Sequence, residues 1–186
     1  MGEALDVDEA QLAEFAALIR ERNSIDARIG AILNRPATVG DIGEWIAAKV
    51  FDIELAATAN NTAFDGHFTT GPLAGHTVNV KTYLQQYGSL DVTESPALDY
   101  YLIFTGPKSN LGSSRGTLRP FCIQSVYLFR SEDLLAELRE AGSKIGIATS
   151  VRVAQWNAAE IYPRSTNPAL ILTDRQRAQL AMFCPE

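Results

Sequence analysis

Phe64–Tyr83 reads FDGHFTTGPLAGHTVNVKTY, and the fold turns on how its two halves pair. In Thr77–Tyr83 the residues alternate, so a strand there puts Asn79 and Lys81 on one face and Val78 and Val80 in the core. The Thr69–Gly75 stretch, TTGPLAG, has the glycine and proline content of a hairpin turn. With that turn centred near Leu73, antiparallel register sets Asp65 across from Lys81 and His67 across from Asn79. Four polar groups then converge on one face, and a register slip would scatter them.

Working outward, strand-like segments rich in aromatic and β-branched residues occur at TAFDGHF, TVNVKTY, LDYYLIF and PFCIQSVYLF, separated by Gly, Pro and Ser clusters. KIGIAT reads as a further strand. Upstream, Leu12, Phe15, Ile19, Ile25, Ile29 and Ile32 recur at mostly helical spacings with Arg22 interrupting them, so residues 8–33 form an N-terminal helix that stops before Asn34 and Pro36. This helix packs on the body of the domain or on a second copy as a homodimer. Thr38 caps a second helix through Phe51, with Asp41 in its first turn where a carboxylate suits the dipole. That helix is apolar nearly all round, so it is read as buried, with Glu44 carried inward and in need of a partner. Ser131 caps a helix to about Ala141, and Thr173 opens a last one ending near Phe183. The expectation is an α/β fold, a central mixed sheet flanked by helices, in a single domain over 1–186 with its core over 38–183.

Composition supports this: 46% hydrophobic and 20% charged residues over 186 positions suit one globular domain with its own core. No apolar run reaches the length of a membrane span, and the N-terminus is acidic and helical rather than basic and then apolar, so no membrane partner and a cytoplasmic location are expected. Cys122 and Cys184 lack metal-type spacing and read as two reduced thiols. A net charge of −6 works against a nucleic-acid partner, yet the acids crowd near the N-terminus and leave room for a local basic track elsewhere.

An inward Glu44 in GDIGEWIAAKVF, then Asp65 in FDGHF, then VNVK resembles the restriction-endonuclease-like, or PD-(D/E)XK, nuclease superfamily. More closely, GEWIAAKVFDIEL, FDGHFTTGPLAGHTVNVK, YYLIFTGPK, SSRGTLRP and AEIYP look like a bacterial domain family of unknown function and about this length. The resemblance implies a nuclease that cleaves nucleic-acid phosphodiesters with Mg²⁺ or Mn²⁺. In that reading Asp65 and Glu44 hold the ion with Asn79 and the Val80 carbonyl, and Lys81 polarises the scissile phosphate. Asn79 stands where the superfamily carries its second acid, and an amide oxygen ligates a hard cation without contributing charge. The other reading is a non-catalytic nucleic-acid- or protein-binding module that keeps the fold.

A second candidate is the loop TGPKSNLGSSRGTLRP, in which Lys108, Ser113, Ser114, Arg115 and Arg119 suit a phosphate-binding turn but lack Walker spacing. Arg152, Trp156 and Arg164 could extend a nucleic-acid surface, although Trp156 fits a core position. His67 reads as a structural polar residue and His76 as a turn residue.

Overall fold

A computed structural model describes residues 7–56, 63–108 and 119–184, with side chains from residue 9 onward. The fold is α/β: a mixed six-stranded sheet with five α-helices among the described residues, the first of them the N-terminal helix. The chain divides into two compact units, Met1–Ile42 and Gly43–Glu186.

The first unit holds helix α1, Val7–Leu33, and the start of α2, Val39–Phe51. Asn34 stops α1 with a left-handed backbone, φ 55°. Thr38 caps α2 as its sequence suggests, its hydroxyl oxygen accepting the Asp41 amide at 3.2 Å.

In the second unit the sheet order is β1 (Ile53–Leu55), β2 (Gly66–Phe68), β3 (Thr77–Tyr83), β5 (Tyr100–Thr105), β6 (Ser125–Arg130) and β8 (Glu160–Tyr162). All neighbours are antiparallel except β3 and β5, which run parallel from Val78↔Tyr100 to Tyr83↔Thr105. A parallel pair needs a crossover, usually a helix. Here residues 84–99 contain no helix, only β4 (Ser89–Leu90), which pairs with β7 (Thr149–Ser150) in a small second sheet.

Strand β5 is buried from Tyr101 to Thr105, as expected for a central strand covered on both faces. One face of the sheet carries Tyr101, Ile103, Tyr127 and Phe129, packed against Leu90, Val92, Leu98, Leu134, Leu138 and Trp156. The Trp156 ring sits edge-on to both Tyr127 and Phe129, at centroid distances of 4.7 and 5.2 Å. The α2 side carries Phe104, whose ring lies 6.1 Å from that of Phe51. On the same side Gly43 is obligatory, because a Cβ there would sit 1.8 Å from Thr82 Oγ1. Helix α2 therefore approaches β3 on the face of Val78, Val80 and Thr82.

Several expectations need correction. The hairpin pairs Gly66 with Val78 and His67 with Thr77, so neither Asp65–Lys81 nor His67–Asn79 is a cross-strand pair. The loop closes through a single 3₁₀ turn, Gly71–Leu73, flanked by left-handed Gly71 and Gly75, φ 72° and 86°. Each predicted partner moves by two positions along β3. A shift of two leaves every side chain on its predicted face.

Cys122 and Cys184 are not reduced thiols but form a disulfide. Neither spacing nor composition could reveal that the start of β6 and the end of the chain meet, with Phe121 and Phe183 packed edge to face beside the bond. A disulfide belongs with oxidising surroundings, which the reduced-thiol reading does not allow for. Ser131 is the first residue of α3 (Ser131–Glu140), not its cap, which is Arg130. Most of KIGIAT is irregular, and only Thr149 belongs to a strand. Helix α4 (Val153–Ala159) and strand β8 were not anticipated, whereas Thr173 does cap α5 (Asp174–Ala181) in a capping box with Gln176. Among the described residues, no helix is long and apolar enough to cross a membrane.

Candidate functional site on the inner face of β3

Asp65 lies where β2 pairing begins and is used by both neighbouring strands. Its amide donates to the Val78 carbonyl at 2.9 Å, its carbonyl accepts the Ala56 amide at 2.8 Å, and its carboxylate accepts the Val80 amide at 2.7 Å. The last is a charge-assisted bond that extends the β2–β3 ladder through a side chain. Asp65 thus holds β3 at Val80, whose amide, rather than its carbonyl, is the group seen engaged.

Alternation along β3 sends Asn79, Lys81 and Tyr83 to the face opposite Val78, Val80 and Thr82, level with Tyr101, Ile103 and Thr105 of β5. Asn79 is only 6% exposed, and its Oδ1 is buried without a hydrogen-bond partner. An orphaned buried carbonyl costs about 1–3 kcal/mol, so it marks a place where a donor or cation would be gained. Lys81 is half-buried and has no ion pair among the described residues. Tyr83 closes the row. Burial pushes its phenol up to about 12, against the Asp91 amide that donates to its oxygen at 3.0 Å, so it remains neutral and serves no base role near neutral pH.

Of the four residues proposed from sequence, the structure brings Asp65, Asn79 and Lys81 to one short segment of the β2–β3 pair. Glu44 is half-buried on α2, the helix that meets the other face of β3. Among the described residues, no group of three His, Cys, Asp or Glu is placed to hold a metal ion. A Mg²⁺ here would rely on one carboxylate, the Asn79 oxygen and backbone. That donor set fits an ion which keeps several waters and takes further ligands from substrate phosphates.

The other sequence candidates separate. Ser113, Ser114 and Arg115 lie outside the described residues. Lys108 is exposed at the end of β5, and Arg119 lies over the Tyr87 ring at 5.7 Å. Lys108 and Tyr87 border a cavity of about 510 Å³, with Gln86, Thr105, Trp156 and Asn157 in its wall. This cavity sits beyond the carboxyl ends of the two parallel strands, where open α/β sheets take ligands. Thr105 Oγ1 and Trp156 Nε1 are buried without partners; Trp156 takes the core position its sequence suggests, and Thr105 was not singled out. Thr105 faces the cavity through the parallel pairing of β3 and β5, which no local pattern encodes. Arg164 is committed to Glu160. His67 Nε2 faces Glu54 at 3.5 Å and His76 Nδ1 faces Asp99 at 3.2 Å, so both histidines have carboxylate partners.

No family model matches the chain, and no curated protein matches it.

Proposed function

We propose that the inner face of β3 is a phosphodiester site of reduced acidity, and that the protein is a Mg²⁺- or Mn²⁺-dependent nuclease. The observation that carries this reading is Asn79 Oδ1, buried, unpartnered and on the same face as Lys81, which has no ion pair among the described residues. Asp65, Asn79 and the Val80 carbonyl would hold the ion; Glu44, on the helix at the other face, is not needed for this set. When bound, the metal would lower the pKa of a coordinated water and offset charge on the phosphoryl oxygens. The remaining work belongs to the chain. Lys81 supplies a fixed positive charge for a phosphate oxygen, strengthened by partial burial. Asp65 fixes the strand by its bond to the Val80 amide, so that Asn79 and Lys81 are presented without reorganisation. The apolar residues packed beside them, Tyr101 and Ile103, limit water on that face.

One observation favours a second reading, a binding module without catalysis: the Asp65 carboxylate is already engaged by backbone. The two are separated by calorimetric titration of Mg²⁺ and Mn²⁺ into the protein, Asp65→Ala and Asn79→Asp, with cleavage of plasmid DNA and RNA oligonucleotides read in parallel. The nuclease reading expects metal uptake and cleavage by the unaltered protein, an increase in Asn79→Asp and loss of both in Asp65→Ala. Oligonucleotide binding with no metal uptake in any of the three would make the module reading the correct one.

A further inference from the structure

Helix α1 is 27 residues long, about 40 Å at the α-helical rise, and it leaves large apolar side chains in solvent. Leu12 is 67% exposed, Phe15 61%, Ile25 45% and Ile32 67%, with Ile19 at 37% and Ile29 half-buried. Scattered apolar residues on a surface need no explanation. These are not scattered. Ile19 and Ile25 stand three residues either side of Arg22, Phe15 and Ile29 seven, and Leu12 and Ile32 ten.

That symmetry along the sequence is what an antiparallel pair of identical helices requires, since a two-fold axis at Arg22 brings each residue opposite its mirror position on the other copy. In a left-handed supercoil with ~3.5 residues per turn, all seven positions fall within a stripe about 100° wide. The 15, 22 and 29 positions lie along its centre, with 12 and 19 on one flank and 25 and 32 on the other; Leu18, 55% exposed, adds to the second flank and is the one large exposed apolar residue here whose mirror position, Asp26, is polar. The two-fold axis lays this stripe against its own copy with the chain direction reversed, so apolar surface meets apolar surface.

Charge points the same way. The first half of α1 carries the acids Asp8, Glu9 and Glu14, whereas from its midpoint onward Arg20, Arg22 and Arg28 outnumber Glu21 and Asp26 by one. Antiparallel packing lays the acidic half of one copy on the mixed, net-cationic half of the other and opposes the two helix dipoles. Parallel packing would set like charges together. Arg22, the single polar residue at the centre, is held by Asp26 one turn on, Nε to Oδ2 at 3.5 Å, which offsets the meeting of two guanidinium groups at the axis. A polar pair such as Arg22 and Asp26 in an apolar seam fixes register at some cost in stability.

We infer that α1 is a self-association surface whose partner is a second copy of this chain, paired antiparallel with Phe15 against Ile29 and the two Arg22 residues at the two-fold axis. The inference stands apart from the nuclease reading.

The test uses the full-length protein. Both native cysteines are tied up in the disulfide, so an introduced cysteine is the one free thiol. Phe15→Cys and Ile29→Cys proteins are mixed under mild oxidation, and each is also oxidised alone. The expected result is a 15–29 cross-link in the mixture and little covalent dimer from either protein alone. Light scattering should report a dimer for the unaltered protein, with dissociation at least about a hundredfold easier for Phe15→Glu, since an anchor is lost twice across the two-fold axis. Arg22→Leu should tighten the pair, a gain that a merely solvated helix would not show. A monomer at tens of micromolar, or strong 15–15 cross-linking, would overturn the inference.

Discussion

Two buried polar residues lie in different strands of the same sheet and are treated in opposite ways. Glu160 in β8 is 3% exposed, and every part of it is answered. Arg164 Nε reaches both carboxylate oxygens at 3.0 and 3.1 Å, the Arg164 amide adds a third bond, and the Glu160 carbonyl accepts the Thr166 and Asn167 amides. Nearby, Asn167 Nδ2 ties the following loop to the Leu128 carbonyl at 2.8 Å. Asn79 in β3 is 6% exposed, and its oxygen has no protein partner. The β8 carboxylate is therefore spent on holding that edge together, whereas β3 leaves Asn79 Oδ1 and Thr82 Oγ1, one on each face, without a partner. Buried polar groups that are left unpaired carry a free-energy cost, and sites that bind something are where that cost is recovered.

The strongest way to test this contrast starts on the answered side. Replacing Cys122 or Cys184 by Ser opens a cross-link spanning 62 residues and should lower stability by about 2–4 kcal/mol in denaturant titration. Metal titration at β3 should be unaffected, because the cross-link serves the other region. A parallel loss of metal uptake would mean that the two regions are not independent.

Asn79→Asp is the next largest effect and has two signs. Without divalent ions a buried carboxylate in place of the amide should cost about 1–3 kcal/mol. Added Mg²⁺ should recover that loss, seen as a rise in melting temperature much larger than in the unaltered protein. Asn79→Leu sharpens the point. It removes the orphaned oxygen at similar volume and should raise stability by about 1–2 kcal/mol while abolishing any metal response. A destabilised Asn79→Leu would mean that the amide is structural after all.

The smallest effect lies at the start of β3. Burial pushes the Asp99 carboxyl up, but the Thr77 amide, His76 and the Thr77 hydroxyl outweigh it, and the group titrates below the usual aspartate value. A lowered folded-state value means that its contribution is complete above the unfolded value, about 3.9, and disappears as pH falls through the folded one. Stability should therefore decline in acid below about pH 4, and Asp99→Asn should flatten that decline. The Asp99 side chain is 44% exposed, so the difference should stay under about 1 kcal/mol in acid titrations followed by circular dichroism.

The sequence by itself determined the local elements whose signals are periodic or terminal. The stripe from Leu12 to Ile32 gave α1, Thr38 and Thr173 gave two helix starts, and the alternation around Asn79 and Lys81 gave β3 with its two faces. These signals come from neighbours within one turn or one strand, where side-chain direction follows from backbone geometry alone. Tertiary structure decided what depends on distant partners: the hairpin register around Gly66↔Val78, the parallel pairing of β3 with β5 and the Cys122–Cys184 bond. It also placed α2 on the face of β3 that Asn79 and Lys81 do not use, because Gly43 lets the helix seat directly on Thr82. A carboxylate, an amide and a lysine were legible as residue types in order along the chain. Which of them share a face with an unanswered hydrogen bond is a property of packing, since burial removes water from a group only when residues far apart in sequence close over it.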